Sequence, residues 1–258
     1  MAKSTPPEQE QEQEQADFGY QRVPANEKVD RVGAVFSSVA SRYDVMNDVM
    51  SAGLHRLWKQ QALRLIAARP GQQVLDLAAG TGDLSIGLAQ AVGAEGQVVV
   101  ADINRPMLEQ GRDRLLNKGL ASELNYVIAD AEQLPFPGRC FDRISIGFGL
   151  RNVTRIPRAL RAMREALKPG GRVVILEFSS VYLAPLKPLY DVYSFRLLPL
   201  MGKLIAQDAE SYRYLAESIR MHPDQATLEA MMTEAGFEDC GYINLSGGIV
   251  AMHYGHVY

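Results

Sequence analysis

Apolar residues change their spacing along the chain. From Glu27 to Ile66 they recur at helical intervals. Val29, Val32, Val35, Phe36 and Val39 form one set, and Leu54, Leu57 and Trp58 form another. The polar stretch from Tyr43 to Asp48 separates the two, and Arg69-Pro70-Gly71 ends the region. Beyond it, short apolar runs alternate with helical ones. Gln73–Leu77, Gln97–Asp102, Leu124–Ala129, Phe141–Phe148 and Arg172–Phe178 predict strands. Asp83–Val92, Pro106 to about Lys118, and Pro157–Leu167 predict helices, with Pro106 suited to a first turn. Lys168-Pro169-Gly170-Gly171 stops the last of them. Strands alternating with helices predict an α/β fold with parallel strands covered on both faces. Cys240–Leu245 and Gly248–Tyr254 flank a Ser246-Gly247-Gly248 turn, which predicts a C-terminal antiparallel hairpin and a mostly parallel seven-stranded sheet.

Two segments fall outside this alternation. Ser179 to Glu238 is a long, aromatic-rich insertion with helical character, ending in a predicted helix over Thr227–Ala235. At the other end, Pro6-Pro7 leads into alternating Glu and Gln from Glu8 to Gln15, a polar run that cannot bury a core. The expected organisation is a disordered tail over 1–17 and a single domain over 18–258. Within that domain, 18–70 forms an N-terminal helical cap and 179–238 covers the substrate.

Composition narrows the class. The 258 residues are 47% hydrophobic and 22% charged, which excludes a wholly disordered chain. The formal net charge of −3 disfavours sequence-independent nucleic-acid binding, so no nucleic acid is expected as a partner. Cys140 and Cys240 are too few for a disulfide framework or a cysteine-based zinc site, and fit a reducing compartment. The N-terminus has no signal-peptide pattern, and no apolar run reaches the ~18 residues of a membrane span. The expected location is cytoplasmic, with peripheral contact at the inner membrane left open.

The candidate chemistry gathers at predicted strand ends. Val74-Leu75-Asp76-Leu77-Ala78-Ala79-Gly80-Thr81-Gly82-Asp83 reads as strand, tight turn and helix, placing a ligand at the strand's carboxyl end. Ser85 and Asp83 stand where a dinucleotide motif wants a third small residue and tolerates no negative charge, and no P-loop lysine follows. S-adenosylmethionine carries no phosphate, and its sulfonium and α-amino group favour nearby carboxylates. Asp102 ends the second strand, where a carboxylate accepts from ribose hydroxyls. Asp130 and Ala131 follow the third, suited to adenine's amine and ring nitrogen. Gly147, in the fourth, leaves space for the cofactor. Taken singly, each acid also reads as a helix cap or turn former.

Asp76 through Phe178 resembles class I S-adenosylmethionine-dependent methyltransferases, with their Rossmann-like fold. The segments from Val35 to Asp44, His55-Arg56-Leu57-Trp58-Lys59, Phe148-Gly149-Leu150-Arg151-Asn152-Val153 and Asp208 to Pro223 are similar to the ubiquinone/menaquinone biosynthesis C-methyltransferases, from about Phe18 to Tyr254. The resemblance implies cofactor contacts at Gly80, Thr81, Asp102, Asp130, Ala131 and Gly147. The chain departs from that family's pattern at Ala79, Asp130 and Gly147, where Gly, Asn and Ser are usual.

The implied reaction is methylation of a ring carbon of a polyprenylated quinol, in-line and without a metal. Arg151 is the candidate catalytic residue, stabilising a phenolate or positioning a water. A structural arginine paired with Asp44 or Asp191 is the alternative. His222, Tyr193 and Tyr212 are weaker candidates, each also readable as a turn or packing residue. The insertion's leucines, with Lys187, Arg196 and Lys203 interleaved, suit an isoprenoid tail, a membrane surface or a partner. A homodimer or a complex with other quinone-biosynthesis enzymes is compatible with these residues.

Overall fold

The computed structural model describes residues 14–39, 47–48, 51–120, 124–183, 185, 188, 192–193 and 209–258. Its frame is a seven-stranded sheet. β1 (Gln15–Phe18) and β2 (Gln21–Pro24) form a separate antiparallel hairpin that leads into α1 (Ala25–Val39). Next come α2 (His55–Ile66), β3 (Gln73–Leu77), α3 (Asp83–Val92), β4 (Gln97–Asp102), α4 (Arg105–Leu116) and β5 (Leu124–Ile128). The chain then returns through β6 (Phe141–Gly147), α5 (Ile156–Ala166), β7 (Leu167–Phe178), α6 (Ala209–Met221), α7 (Gln225–Glu234), β8 (Glu238–Leu245) and β9 (Val250–His256). The sheet order is β5-β4-β3-β6-β7-β9-β8. Strands β3 to β7 pair in parallel, and β9 runs antiparallel to both β7 and β8. The chain steps from β3 outward through β4 to β5, then restarts on the other side of β3 with β6. Loops diverge at that reversal and open a crevice at the strands' carboxyl ends.

Side-chain alternation along the strands builds two cores. Val74, Val100, Val174 and Leu176 face α2 and α3, where Trp58, Ile66 and Leu88 are buried. Leu75, Leu77, Ile144 and Ile175 face α5 and α7, against Leu160, Met163, Leu228 and Met232. Each fully buried aliphatic side chain contributes roughly 1.5–3 kcal/mol. Two helix starts follow cap chemistry. The Asn104 side chain accepts from Met107 N at 3.0 Å ahead of Pro106, and Asp224 accepts from Thr227 N at 2.9 Å.

Several sequence expectations shift. Order begins before Phe18, because Gln15–Phe18 is already a strand of the hairpin. The turn places Gly19 at φ +59, against the Glu217 side chain that accepts from Tyr20 N. Phe18 stacks on Tyr214 with ring centroids 4.3 Å apart, which ties the hairpin to α6. The strand expected at Arg172 begins at Leu167, since Leu167 pairs with Phe141 and the Lys168–Gly171 stop becomes a register shift within β7. Of the helically spaced Leu54, Leu57 and Trp58, the two leucines are 39% and 58% exposed, and Trp58 alone reaches the core. Tyr212 is a core residue of α6. The tail over 1–13, Asp44, Asp191, and Lys187, Arg196 and Lys203 of the insertion lie outside the described residues.

Candidate functional site

The loop after β3 determines the site's shape. Ala78, Gly80 and Gly82 take φ of 50°, 56° and 77°, so the chain winds tightly between β3 and α3. Alanine is strained there, and such strain persists where the surroundings hold it. Ala79, the position where a second glycine is usual in the resembling family, has no positive φ and is accommodated. At Gly111 of α4 a Cβ would lie 2.7 Å from the Gly80 carbonyl oxygen, so α4 can approach the turn only through glycine.

Two cavities flank this turn and share Ala78. The larger is floored by Leu77, Ala78 and Gly80 and walled by Asp102, Ile103 and Met107 on one side and by Asp130 and Ala131 on another. Phe148, Gly149 and Asn152 close a third side, and α1 lays Val29, Val32 and Phe36 over the top. The smaller, about 320 Å³, lies between Lys59, Asp76, Thr81, Asp83 and Gly147.

The strand-end residues fall where the sequence expects them. Asp102 is buried, and its oxygens accept from Gly80 N and Asn104 N, each at 2.8 Å. Burial pushes its pKa up, and these backbone N–H bonds oppose that by favouring the carboxylate. A carboxylate has about four acceptor sites, so capacity remains for a ligand. Asp130 accepts from Glu132 N at 2.9 Å and sits at the exposed rim with Ala131 buried beside it. Asp76 is buried and accepts from Ser85 Oγ at 2.6 Å and Ser145 Oγ at 2.8 Å. Burial raises its pKa to about 6 against those bonds. Asp83 accepts from Lys59 Nζ at 2.5 Å and pairs with Arg114 at 2.6 Å. Burial disfavours its charge, but these two cations hold its pKa below the usual carboxylate range.

Two expectations change. Gly147 lines the smaller cavity, but the space its missing Cβ leaves is largely taken by Leu84, whose Cδ1 would lie 2.8 Å from that atom. Arg151 lines neither cavity. Its side chain is 4% exposed and donates from Nη1 to Glu177 Oε1 at 2.8 Å and to the Phe148 carbonyl at 2.5 Å. The partner is therefore Glu177, a residue sequence reasoning did not single out. Near this pair His222 is buried, and among the described residues neither of its ring nitrogens has a partner. Burial lowers its pKa to about 4, Glu177 acting to raise it and Arg151 to lower it. Val29, Val32 and Phe36 of α1 line the large cavity, on the side where the sequence places an N-terminal helical cap. Lys59 stands in the His55–Lys59 segment of the resemblance, but sequence reasoning gave it no role of its own.

The sheet order, the β3 turn and the strand-end acids define an S-adenosylmethionine-dependent methyltransferase fold. The chain belongs to the ubiE/COQ5 methyltransferase family, whose sequence profile matches residues 24–257. It is similar to the ubiquinone/menaquinone biosynthesis C-methyltransferase of Coxiella burnetii (strain RSA 331 / Henzerling II), 61% identical over 239 residues, 93% of this chain and 96% of that protein. The protein of the same name from Teredinibacter turnerae is 59% identical over 238 residues, 92% of this chain and 96% of its own length. Among solved structures, a SAM-dependent methyltransferase from Aquifex aeolicus superposes with a TM-score of 0.58 at 15% identity, over 78% of this chain and 89% of that one, a likeness of fold.

Proposed function

We infer that the chain transfers the methyl group of S-adenosylmethionine to a ring carbon of a polyprenylated quinol, the acceptor being a benzoquinol, a demethylmenaquinol or both. The observation that carries this reading is the pair of cavities meeting at Ala78, with a buried carboxylate, Asp102, on the wall of the larger. The large cavity would take the nucleoside, and the small one the short polar tail. Asp102 would accept from the ribose hydroxyls, and Asp130 with Ala131 would meet the adenine edge. Gly80 and Thr81 would pass the cofactor across the turn to Gly147.

When bound, this cofactor supplies a methyl group already activated on a sulfonium, so the chain's task is alignment and control of the acceptor's proton. Val29, Val32 and Phe36 exclude water from the large cavity. Asn152, on its wall, is oriented by Tyr214, whose hydroxyl donates to Asn152 Oδ1 at 3.0 Å. Arg151 is assigned a positioning role. By bonding the Phe148 carbonyl and Glu177 it fixes the Phe148–Asn152 segment that closes the cavity beside the acceptor. The isoprenoid tail accounts for the apolar insertion, and peripheral contact with a membrane follows from an acceptor that resides there. Among the described residues no helix is long and apolar enough to cross a membrane.

The experiment is methyl transfer from labelled S-adenosylmethionine to a reduced, demethylated quinol. Label on ring carbon supports the reading, and a folded protein that transfers none contradicts it. Flotation with liposomes tests the membrane contact, and recovery of no protein would count against it.

A further inference from the structure

The small cavity holds one group that neither the fold nor the strand-end acids account for. Lys59 is the fifth residue of α2, next to Trp58. Trp58 is buried and donates from Nε1 to Ser246 Oγ at 2.9 Å, which fixes the helix's rotation. That rotation aims Lys59 across the mouth of the β3 turn into the small cavity, with its side chain only 14% exposed. An ammonium has three donors. The bond resolved here goes to Asp83, a carboxylate that also carries Arg114. Asp83 is therefore shared between two cations, and among the described residues Lys59 keeps donors facing the cavity, where its charge also acts on Asp76. Asp76, the other acid there, is occupied by Ser85 and Ser145.

We propose that Lys59 binds the carboxylate of the cofactor's amino-acid tail in the small cavity, with Asp83 holding the ammonium in position when the site is free. The proposal rests on the cofactor reading above and deepens it by naming the residue that would meet the amino-acid end. With the nucleoside in the large cavity beside Asp102, the tail would pass Ala78 and end at Lys59. A cation at that end favours the tail's carboxylate, which would otherwise lie near Asp76 and the Asp83–Arg114 pair with only the tail's own ammonium to offset them. The assignment also divides the labour of the His55–Lys59 segment: Trp58 anchors the helix in the core and Lys59 meets the ligand.

The test compares ligands that differ only in the tail. Binding of S-adenosylhomocysteine and of 5′-methylthioadenosine, the same nucleoside thioether without the amino-acid end, is measured by calorimetry on the wild-type chain and on Lys59→Met and Lys59→Arg. Loss of a charge-assisted bond should weaken S-adenosylhomocysteine binding to Lys59→Met roughly 10-fold or more. Methylthioadenosine affinity should change less than about twofold. Lys59→Arg should recover most of the loss. Equal weakening of both ligands, or no weakening of either, overturns the proposal while leaving the cofactor reading intact. A folded wild-type chain that binds neither ligand overturns both. Should Lys59→Met fail to fold, the wild type decides with a ligand that lacks the tail's carboxylate. A decarboxylated analogue that binds the wild type as tightly as S-adenosylmethionine contradicts the assignment.

Discussion

Glu177 of β7 accepts three hydrogen bonds, two of them from Arg151: Arg151 Nη1 and Phe178 N donate to Oε1 at 2.8 and 2.9 Å, and Arg151 N donates to Oε2 at 3.2 Å. The carboxylate thus ties the turn after β6 to the end of β7. Both partners are nearly fully buried, so removing one leaves the other charge uncompensated. Glu177→Leu should lower unfolding free energy by ~3–5 kcal/mol in urea titration. An unchanged midpoint would show that the pair contributes little.

For Arg151 the two kinetic constants separate roles. Arg151→Ala should reduce turnover far more than it reduces affinity for S-adenosylhomocysteine, because the residue lies outside both cavities but positions Asn152. Arg151→Lys keeps the charge without the planar fork and should recover only part of the rate. If affinity and turnover fall together, the segment shapes the cofactor cavity itself.

Asp102→Ala should weaken cofactor binding by more than ~10-fold, because it strands ribose hydroxyls as well as Gly80 N and Asn104 N. Calorimetric titration with S-adenosylhomocysteine reads this directly. An unchanged affinity would place the nucleoside elsewhere.

Val32→Glu tests the face of α1 that covers the large cavity. The residue is half-buried and lines ligand space, so the fold should lose no more than ~1 kcal/mol while cofactor affinity drops. A large stability loss with intact binding would make α1 a core helix.

His222 makes stability depend on pH in a predictable direction. Its folded pKa, about 4, lies below its ordinary 6.5, so between these values the unfolded chain takes up a proton that the folded chain refuses. Stability should therefore fall as pH drops from 6.5 to 4, by on the order of 3 kcal/mol from this group. His253, also buried, acts in the same direction. Asp76, with its raised value of about 6, acts in the opposite direction, favouring the folded state as pH falls towards 3.8. The difference between wild type and His222→Phe isolates the histidine, and the variant should show a visibly shallower loss in acid. Parallel curves would mean that His222 is not buried neutral.

The boundaries of the first helices and strands of the sheet were legible because burial on both faces leaves unbroken apolar strands between Gly- and Pro-marked turns, whereas the start of β7 was not, since Lys168–Gly171 reads as a stop. Gln73–Leu77, Asp83–Val92 and Gln97–Asp102 fall where the pattern predicts them. The place of Asp102 at a strand's end was legible too, because the apolar run of β4 stops there, although an acid at such a place, taken singly, also reads as a cap. The hairpin at Gln15–Pro24 was not, because its four-residue strands carry little alternation beside a polar tail and depend on Phe18 meeting the distant Tyr214. Lys59 was hidden because a lysine after a tryptophan reads as the solvated edge of an amphipathic helix. Glu177 was hidden because only the folded sheet brings β7's end beside Arg151.

Incubation of the purified chain with methyl-labelled S-adenosylmethionine and a reduced demethylated quinol, followed by location of the label, tests the central claim most directly. The account predicts label bonded to ring carbon, dependent on Asp102. Label on a hydroxyl oxygen, or none from a folded protein that binds the cofactor, would contradict it.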